Sequence, residues 1–147
     1  MNLDKNLQDV VYYRIERTMR AVRSSTRKLF KEQGFGVNID QWVLLKRISE
    51  EPQGLSQMEL SSSTFKDPAA ITRSLDNLVK KGLVHKAHEA KDRRAYSLTL
   101  TTEGLDLVKQ MTPFVQDLRK QGLQDLEPQE VETLKKLLDK IYLSFET

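Results

Sequence analysis

Between Asp67 and Gly82 the chain reads Asp67-Pro68-Ala69-Ala70-Ile71-Thr72-Arg73-Ser74-Leu75-Asp76-Asn77-Leu78-Val79-Lys80-Lys81-Gly82. At helical spacing Ala69, Thr72, Arg73, Asp76 and Lys80 share one face, short-chained at its start and basic beyond. The chemistry open to such a face is recognition. A guanidinium at Arg73 can bond two acceptors on a guanine edge, worth roughly 1–3 kcal/mol of discrimination. Ala69 and Thr72 offer methyl groups to thymine, and Thr72 adds a hydroxyl. Ala70 and Asn77 flank them as further base-reading candidates, and Lys80 and Lys81 carry charge suited to phosphates. The competing structural role for Arg73 is an intrahelical pair with Asp76 or Asn77.

The signals around these residues say how they are held. Asp67 is a helix N-cap, and Pro68 stands at the first helical position, where its missing N–H costs nothing. Lys80 and Lys81 lie at the negative end, and Gly82 is placed for a left-handed residue. Ile71, Leu75, Leu78 and Val79 form the apolar stripe behind the polar face. Upstream, Ser56-Gln57-Met58-Glu59 is a capping box stapled by Leu55 and Leu60, which predicts a short helix from about Gln57 to Ser63. Ser56 and Gln57, at that helix start, suit phosphate contacts. Two short helices joined through Thr64-Phe65-Lys66 make a helix-turn-helix. Downstream, Leu83–His88 and Tyr96–Leu100 have the period of half-buried strands around a charged tip, Glu89-Ala90-Lys91-Asp92-Arg93-Arg94. Helix-turn-helix followed by a basic hairpin is a winged helix, with Lys86, Lys91 and Arg93 as further phosphate candidates.

Long amphipathic helices flank this centre. Leu7 to Gln33 is one, about 40 Å long at 1.5 Å per residue, ended by Gly34-Phe35-Gly36. Asn38-Ile39-Asp40-Gln41 opens the next with a capping box, a Val37–Trp42 staple, and Trp42, Leu44, Leu45 and Ile48 facing a core. After the wing, Thr101 caps a helix that Pro113 should kink or break and Gly122 should end. Pro128 starts the last helix, with Leu134, Leu137, Leu138, Tyr142 and Phe145 on its apolar side. The expected fold is mainly α with a small β wing. One domain covers 1–147: a winged helix-turn-helix region at 36–102 between dimerisation helices at 1–35 and 103–147. So long a first helix cannot bury its stripe in so small a chain, which implies a homodimer. Two-fold symmetry would then present two reading helices about 34 Å apart, matching a palindrome.

Charge agrees with that placement. The net charge of +3 divides into +4 over 1–33, −2 over 34–65, +4 over 66–95 and −3 over 96–147. The second basic block coincides with the reading helix and wing. No cysteine is present, which excludes disulfides, thiolate metal sites and thiol switching. His85 and His88, three apart in a strand, point to opposite faces and do not share a metal. Gly34-Phe35-Gly36 is too short for a dinucleotide fingerprint and Ser61-Ser62-Ser63 has no evident base, so an enzyme is not expected, nor a cofactor. No apolar run approaches a membrane span, and the N-terminus lacks a signal-peptide core, so the cytoplasm is the default.

The stretches from Asp67 to Val84 and from Asp92 to Gly104, with Leu126-Glu127-Pro128-Gln129-Glu130-Val131, resemble the MarR family of bacterial transcription regulators, over nearly the whole chain. The resemblance implies a homodimer on double-stranded DNA, recognition helices in successive major grooves and wings over flanking minor grooves. It implies that Arg94 enters the minor groove, oriented by Asp92. It also implies release by a small phenolic or anionic ligand, for which Tyr12, Tyr13, Arg17 and Trp42 are the pocket candidates. The functional expectation is a sequence-specific regulator, and more specifically a repressor. The alternative is a winged-helix dimer serving as a protein-interaction module without specific DNA binding.

Overall fold

The computed structural model describes residues 6–64, 67–89 and 92–146, with the side chains at 89 and 92–95 left out of the description. Six α-helices and three short strands run α1 (Val11–Gln33), α2 (Ile39–Ser49), β1 (Leu55–Ser56), α3 (Gln57–Thr64), α4 (Pro68–Lys80), β2 (Val84–Glu89), β3 (Asp92–Leu100), α5 (Thr102–Leu123) and α6 (Pro128–Phe145). The architecture is mainly helical with a small antiparallel sheet. The chain forms two compact units, Met1–Phe114 and Val115–Thr147.

In the first unit the expected long helix starts late. Leu7–Asp9 is a single 3-10 turn, and Val10 is extended (φ −77°, ψ 123°) before α1 begins. Only Thr26 and Phe30 of α1 are buried, both near its C-terminal end. Phe30 meets Phe35 edge-on at 5.6 Å, and Phe35 meets Phe114 at 5.5 Å. The capping box of α2 is complete: the Gln41 N–H donates to Asn38 Oδ1 (2.9 Å), and the Asn38 N–H donates to Gln41 Oε1 (3.0 Å). Val37 and Trp42 are both buried beside it, as the staple requires.

The core of the unit is built from Leu44, Leu45 and Ile48 of α2, Leu55 of β1, Leu60 of α3, Ile71, Leu75 and Leu78 of α4, and Val84 and Leu98 of the sheet. The sheet has three strands in the order β1-β3-β2, one more than the sequence suggested. Leu55 and Ser56 pair with Leu98 and Ser97, and two residues are too few to show a strand period. The wing strands also run further than expected: Asp92, Arg93 and Arg94, read as part of a tip, belong to β3. Residues 90 and 91 lie outside the described residues.

Thr101 joins the wing to both neighbouring helices. Its N–H donates to the Leu83 carbonyl (3.1 Å), its hydroxyl donates to the Gly82 carbonyl (2.6 Å), and its oxygen caps α5 by accepting from the Gly104 N–H (3.0 Å). Two glycines make this junction possible. Gly82 has φ +74°, a left-handed conformation that side chains disfavour, and a Cβ at Gly104 would stand 2.0 Å from the Leu83 carbonyl oxygen.

Pro113 does not break α5, which runs through it to Leu123, one residue past the expected stop at Gly122. The missing N–H deprives one carbonyl of its partner, while burial of Val108 and Met111 on the preceding turns holds the helix course. In the second unit, α6 starts at Pro128 as expected, with the Glu127 N–H donating to the Glu130 carboxylate at 2.9 Å. No residue of α6 is buried. The phenol of Tyr142 donates to Glu146, and that hydrogen bond is the main reason its pKa is raised above the ordinary tyrosine value. Among the described residues no helix is long and apolar enough to cross a membrane.

Candidate nucleic-acid interface

Helix α4 carries the candidate reading face, and its own signals set its start. The Asp67 carboxylate accepts from the Ala70 N–H at 3.2 Å, and Pro68 fills the first helical position. Ile71, Leu75 and Leu78 anchor the buried side, leaving Ala69, Thr72, Arg73, Asp76 and Asn77 exposed. Among the described residues Arg73 makes no hydrogen bond or ion pair, so the intrahelical pair with Asp76 or Asn77 does not form. Two other polar side chains of the helix, Thr72 and Asn77, are held by hydrogen bonds.

Several of the expected contact residues also make bonds within the chain. Asn77 Oδ1 accepts from Gln41 Nε2 at 2.6 Å, so this exposed side chain also ties α4 to α2. Gln41 is itself buried; it closes the α2 capping box with its oxygen and grips Asn77 with its nitrogen. Lys81, expected on phosphate, donates through Nζ to the Gly36 carbonyl and pins the end of α4 to the turn after α1. Ala70 is only half-exposed, and it lines a small hollow of about 20 Å³ with Asp40, Val43, Leu44, Ile71 and Ser74. Lys80 remains exposed.

At the start of α3 the expected capping box is half made. Ser56 Oγ accepts from the Glu59 N–H (3.0 Å), but the Glu59 carboxylate takes the Ser56 hydroxyl proton (3.0 Å) instead of the Ser56 N–H, because β1 carries that backbone into the sheet. Gln57 reaches across to α4, where its Nε2 donates to Thr72 Oγ1 at 2.9 Å. Thr72 Oγ1 donates in turn to the Pro68 carbonyl at 3.0 Å. Two residues given separate roles from the sequence thus form one pair. Arg47 joins α2 to α3 in the same way, donating to Ser63 Oγ (3.1 Å) while pairing with Glu51 (3.3 Å). Neither Gln41 nor Arg47 had a sequence signal for these tertiary bonds.

On the wing, Lys86 Nζ lies 4.2 Å from the centre of the Tyr96 ring, and the His88 ring stacks on the same tyrosine at 4.4 Å. Cation–π contact leaves the lysine charge in place, so Tyr96 orients it. His85 stands opposite Thr99, and no group of three His, Cys, Asp or Glu among the described residues could hold a metal ion. Lys91 lies outside the described residues, as do the side chains of Asp92, Arg93 and Arg94.

The four pocket candidates are not gathered within one chain. Trp42 is buried in the core, whereas Tyr12, Tyr13 and Arg17 are exposed on α1. The Arg23–Asp40 ion pair (3.7 Å) marks where α1 meets the start of α2, and Tyr12 and Tyr13 lie about 15 Å further along the helix axis.

Known proteins agree with this geometry. Residues 35–95 match a sequence family described as the MarR family. The chain is 30% identical to a mutant of MarR from E. coli solved with operator DNA, with 86% of this chain and 92% of that one aligned at a TM-score of 0.74. The S. aureus MepR–DNA complex is 21% identical over 92% of this chain and 98% of that one, with a TM-score of 0.85. Bordetella bronchiseptica BpsR, solved in a study of how 6-hydroxynicotinic acid regulates its DNA binding, is 23% identical over 90% and 92%, with a TM-score of 0.81. The chain belongs to the MarR family of winged helix-turn-helix regulators, which are DNA-binding transcription factors and not enzymes.

Proposed function

We propose that this protein is a homodimer that sets two copies of α4 in successive major grooves of a palindromic operator and represses transcription there. The observation that carries the reading is Arg73, exposed and without an internal partner on a helix otherwise fastened through Asn77, Thr72 and Lys81. A helix held this way is pre-placed, so the freedom lost on binding is mainly that of the Arg73 side chain itself. Ala69 and Thr72 flank Arg73 for base contacts. Lys80, Lys86, Lys91 and Arg93 neutralise phosphates, and Arg94, oriented by Asp92, enters the minor groove. The exposed apolar sides of α1 (Val11, Met19, Val22) and α6 (Leu134, Leu137, Leu138, Tyr142) supply the dimer contact. A protein-interaction module would call for an acidic or bulky apolar face on α4, and Thr72, Arg73 and Lys80 do not make one.

A small phenolic or anionic effector releases the dimer from DNA. BpsR, whose DNA binding 6-hydroxynicotinic acid regulates, supplies a precedent for the ligand class. Selection of bound duplexes from random sequence, across a salt series and with or without phenolic acids, tests the whole reading. An inverted repeat should emerge, and Arg73→Ala should relax one position of it by roughly 1–3 kcal/mol. Lys91→Ala should weaken all sequences alike and lower the salt slope by about one. Selection of no repeat, or equal loss of specificity in both variants, contradicts it.

A further inference from the structure

We infer that Gln57 is a positioning residue that decides which base α4 reads at Thr72, by turning the threonine so that its methyl group, not its hydroxyl, meets the DNA. This rests on the reading of α4 as the DNA-reading helix and specifies it at one position. A threonine hydroxyl has one proton to donate and two lone pairs to accept with. The Pro68 carbonyl can only accept, so the 3.0 Å contact there takes the proton. Gln57 must then present its NH2 group, and its 2.9 Å bond occupies a lone pair. With its donor committed and its oxygen held between Pro68 and α3, Thr72 keeps one χ1 setting. What the exposed residue offers outward is the Cγ2 methyl.

A methyl in the major groove recognises the thymine C5-methyl and is indifferent to the hydrogen-bonding groups of other bases. A rotating hydroxyl would be a promiscuous reader, accepting from adenine or cytosine and donating to guanine or thymine. Gln57 therefore converts a tolerant residue into a thymine-selective one without touching the base. Its position at the first turn of α3 also couples the two helices of the helix-turn-helix at the point where both approach the duplex.

The test uses the full-length protein and its selected operator, with each thymine singly replaced by deoxyuridine, which removes only the methyl. In the wild type, one such replacement per half-site should weaken binding roughly fourfold, the worth of a buried methyl-sized group. Thr72→Val should keep that penalty, and Thr72→Ser should lose it. Gln57→Leu should also lose it, with an unchanged circular-dichroism spectrum and unfolding midpoint as the control for folding. Gln57→Glu is the second variant: its carboxylate draws the hydroxyl proton away from Pro68, and the thymine preference should again vanish. Retention of the wild-type thymine-to-uracil ratio in both Gln57 variants overturns the inference, as does a selected operator with no methyl-sensitive thymine. Failure to select any operator overturns the DNA reading of α4 itself, a separate result.

Discussion

Helices α4 and α6 carry nearly the same pattern and meet opposite fates. Both start with a proline at the first helical position and set leucines three residues apart, Leu75 and Leu78 in α4 and Leu134 and Leu137 in α6. The α4 leucines, Leu75 and Leu78, are 0% exposed, packed under α2 and the wing. Leu134, Leu137 and Leu138 of α6 are 43%, 51% and 40% exposed. Amphipathic spacing therefore shows that a face must be covered but not what covers it. The reading region completes its core within one chain, whereas the terminal helix carries apolar area that a second copy would remove from water.

Substitutions can break that contrast or sharpen it. The largest effect should come from Leu75→Ala, which empties a sealed position and should cost about 2–5 kcal/mol of stability by denaturant unfolding. Leu137→Glu should leave the reading region folded but shift the mass in sedimentation towards monomer. With the second reading helix lost, operator affinity should fall about 100-fold. Gly104→Ala pushes a methyl against the Leu83 carbonyl at the wing–α5 junction and should cost about 1–3 kcal/mol, read as a lower Tm. Smallest of the four, Asp67→Ala removes the cap of α4 and should cost about 1 kcal/mol, with operator binding weakened more than non-specific binding. A Leu137→Glu protein that stays dimeric, or a Leu75→Ala protein as stable as wild type, would erase the distinction between the two regions.

Local chemistry explains what could be read in advance. The Asn38–Gln41 capping box, the Asp67 cap with Pro68, the left-handed Gly82 and the Thr101 cap each depend on residues within four positions, and each stands as the sequence indicated. Contacts spanning many residues were not legible. Gln41 to Asn77 spans 36 positions, Lys81 to Gly36 spans 45 and Gln57 to Thr72 spans 15. These bonds tie Asn77, Lys81 and Thr72 to neighbouring elements, whereas Arg73 has no such bond among the described residues. Strand β1 has only two residues and so no alternation to read, and it redirects half of the expected capping box. Of the two outcomes expected at Pro113, a kink or a break, the break does not occur, since burial on adjacent turns holds α5 together.

The central claim is that two copies of α4, held rigidly by the dimer, engage one face of the duplex together. Inserting base pairs between the two halves of the selected operator tests it most directly. Five added base pairs turn the half-sites to opposite faces, about half a helical turn, and should reduce affinity to the level of a single half-site. Undiminished affinity across that insertion would contradict the claim.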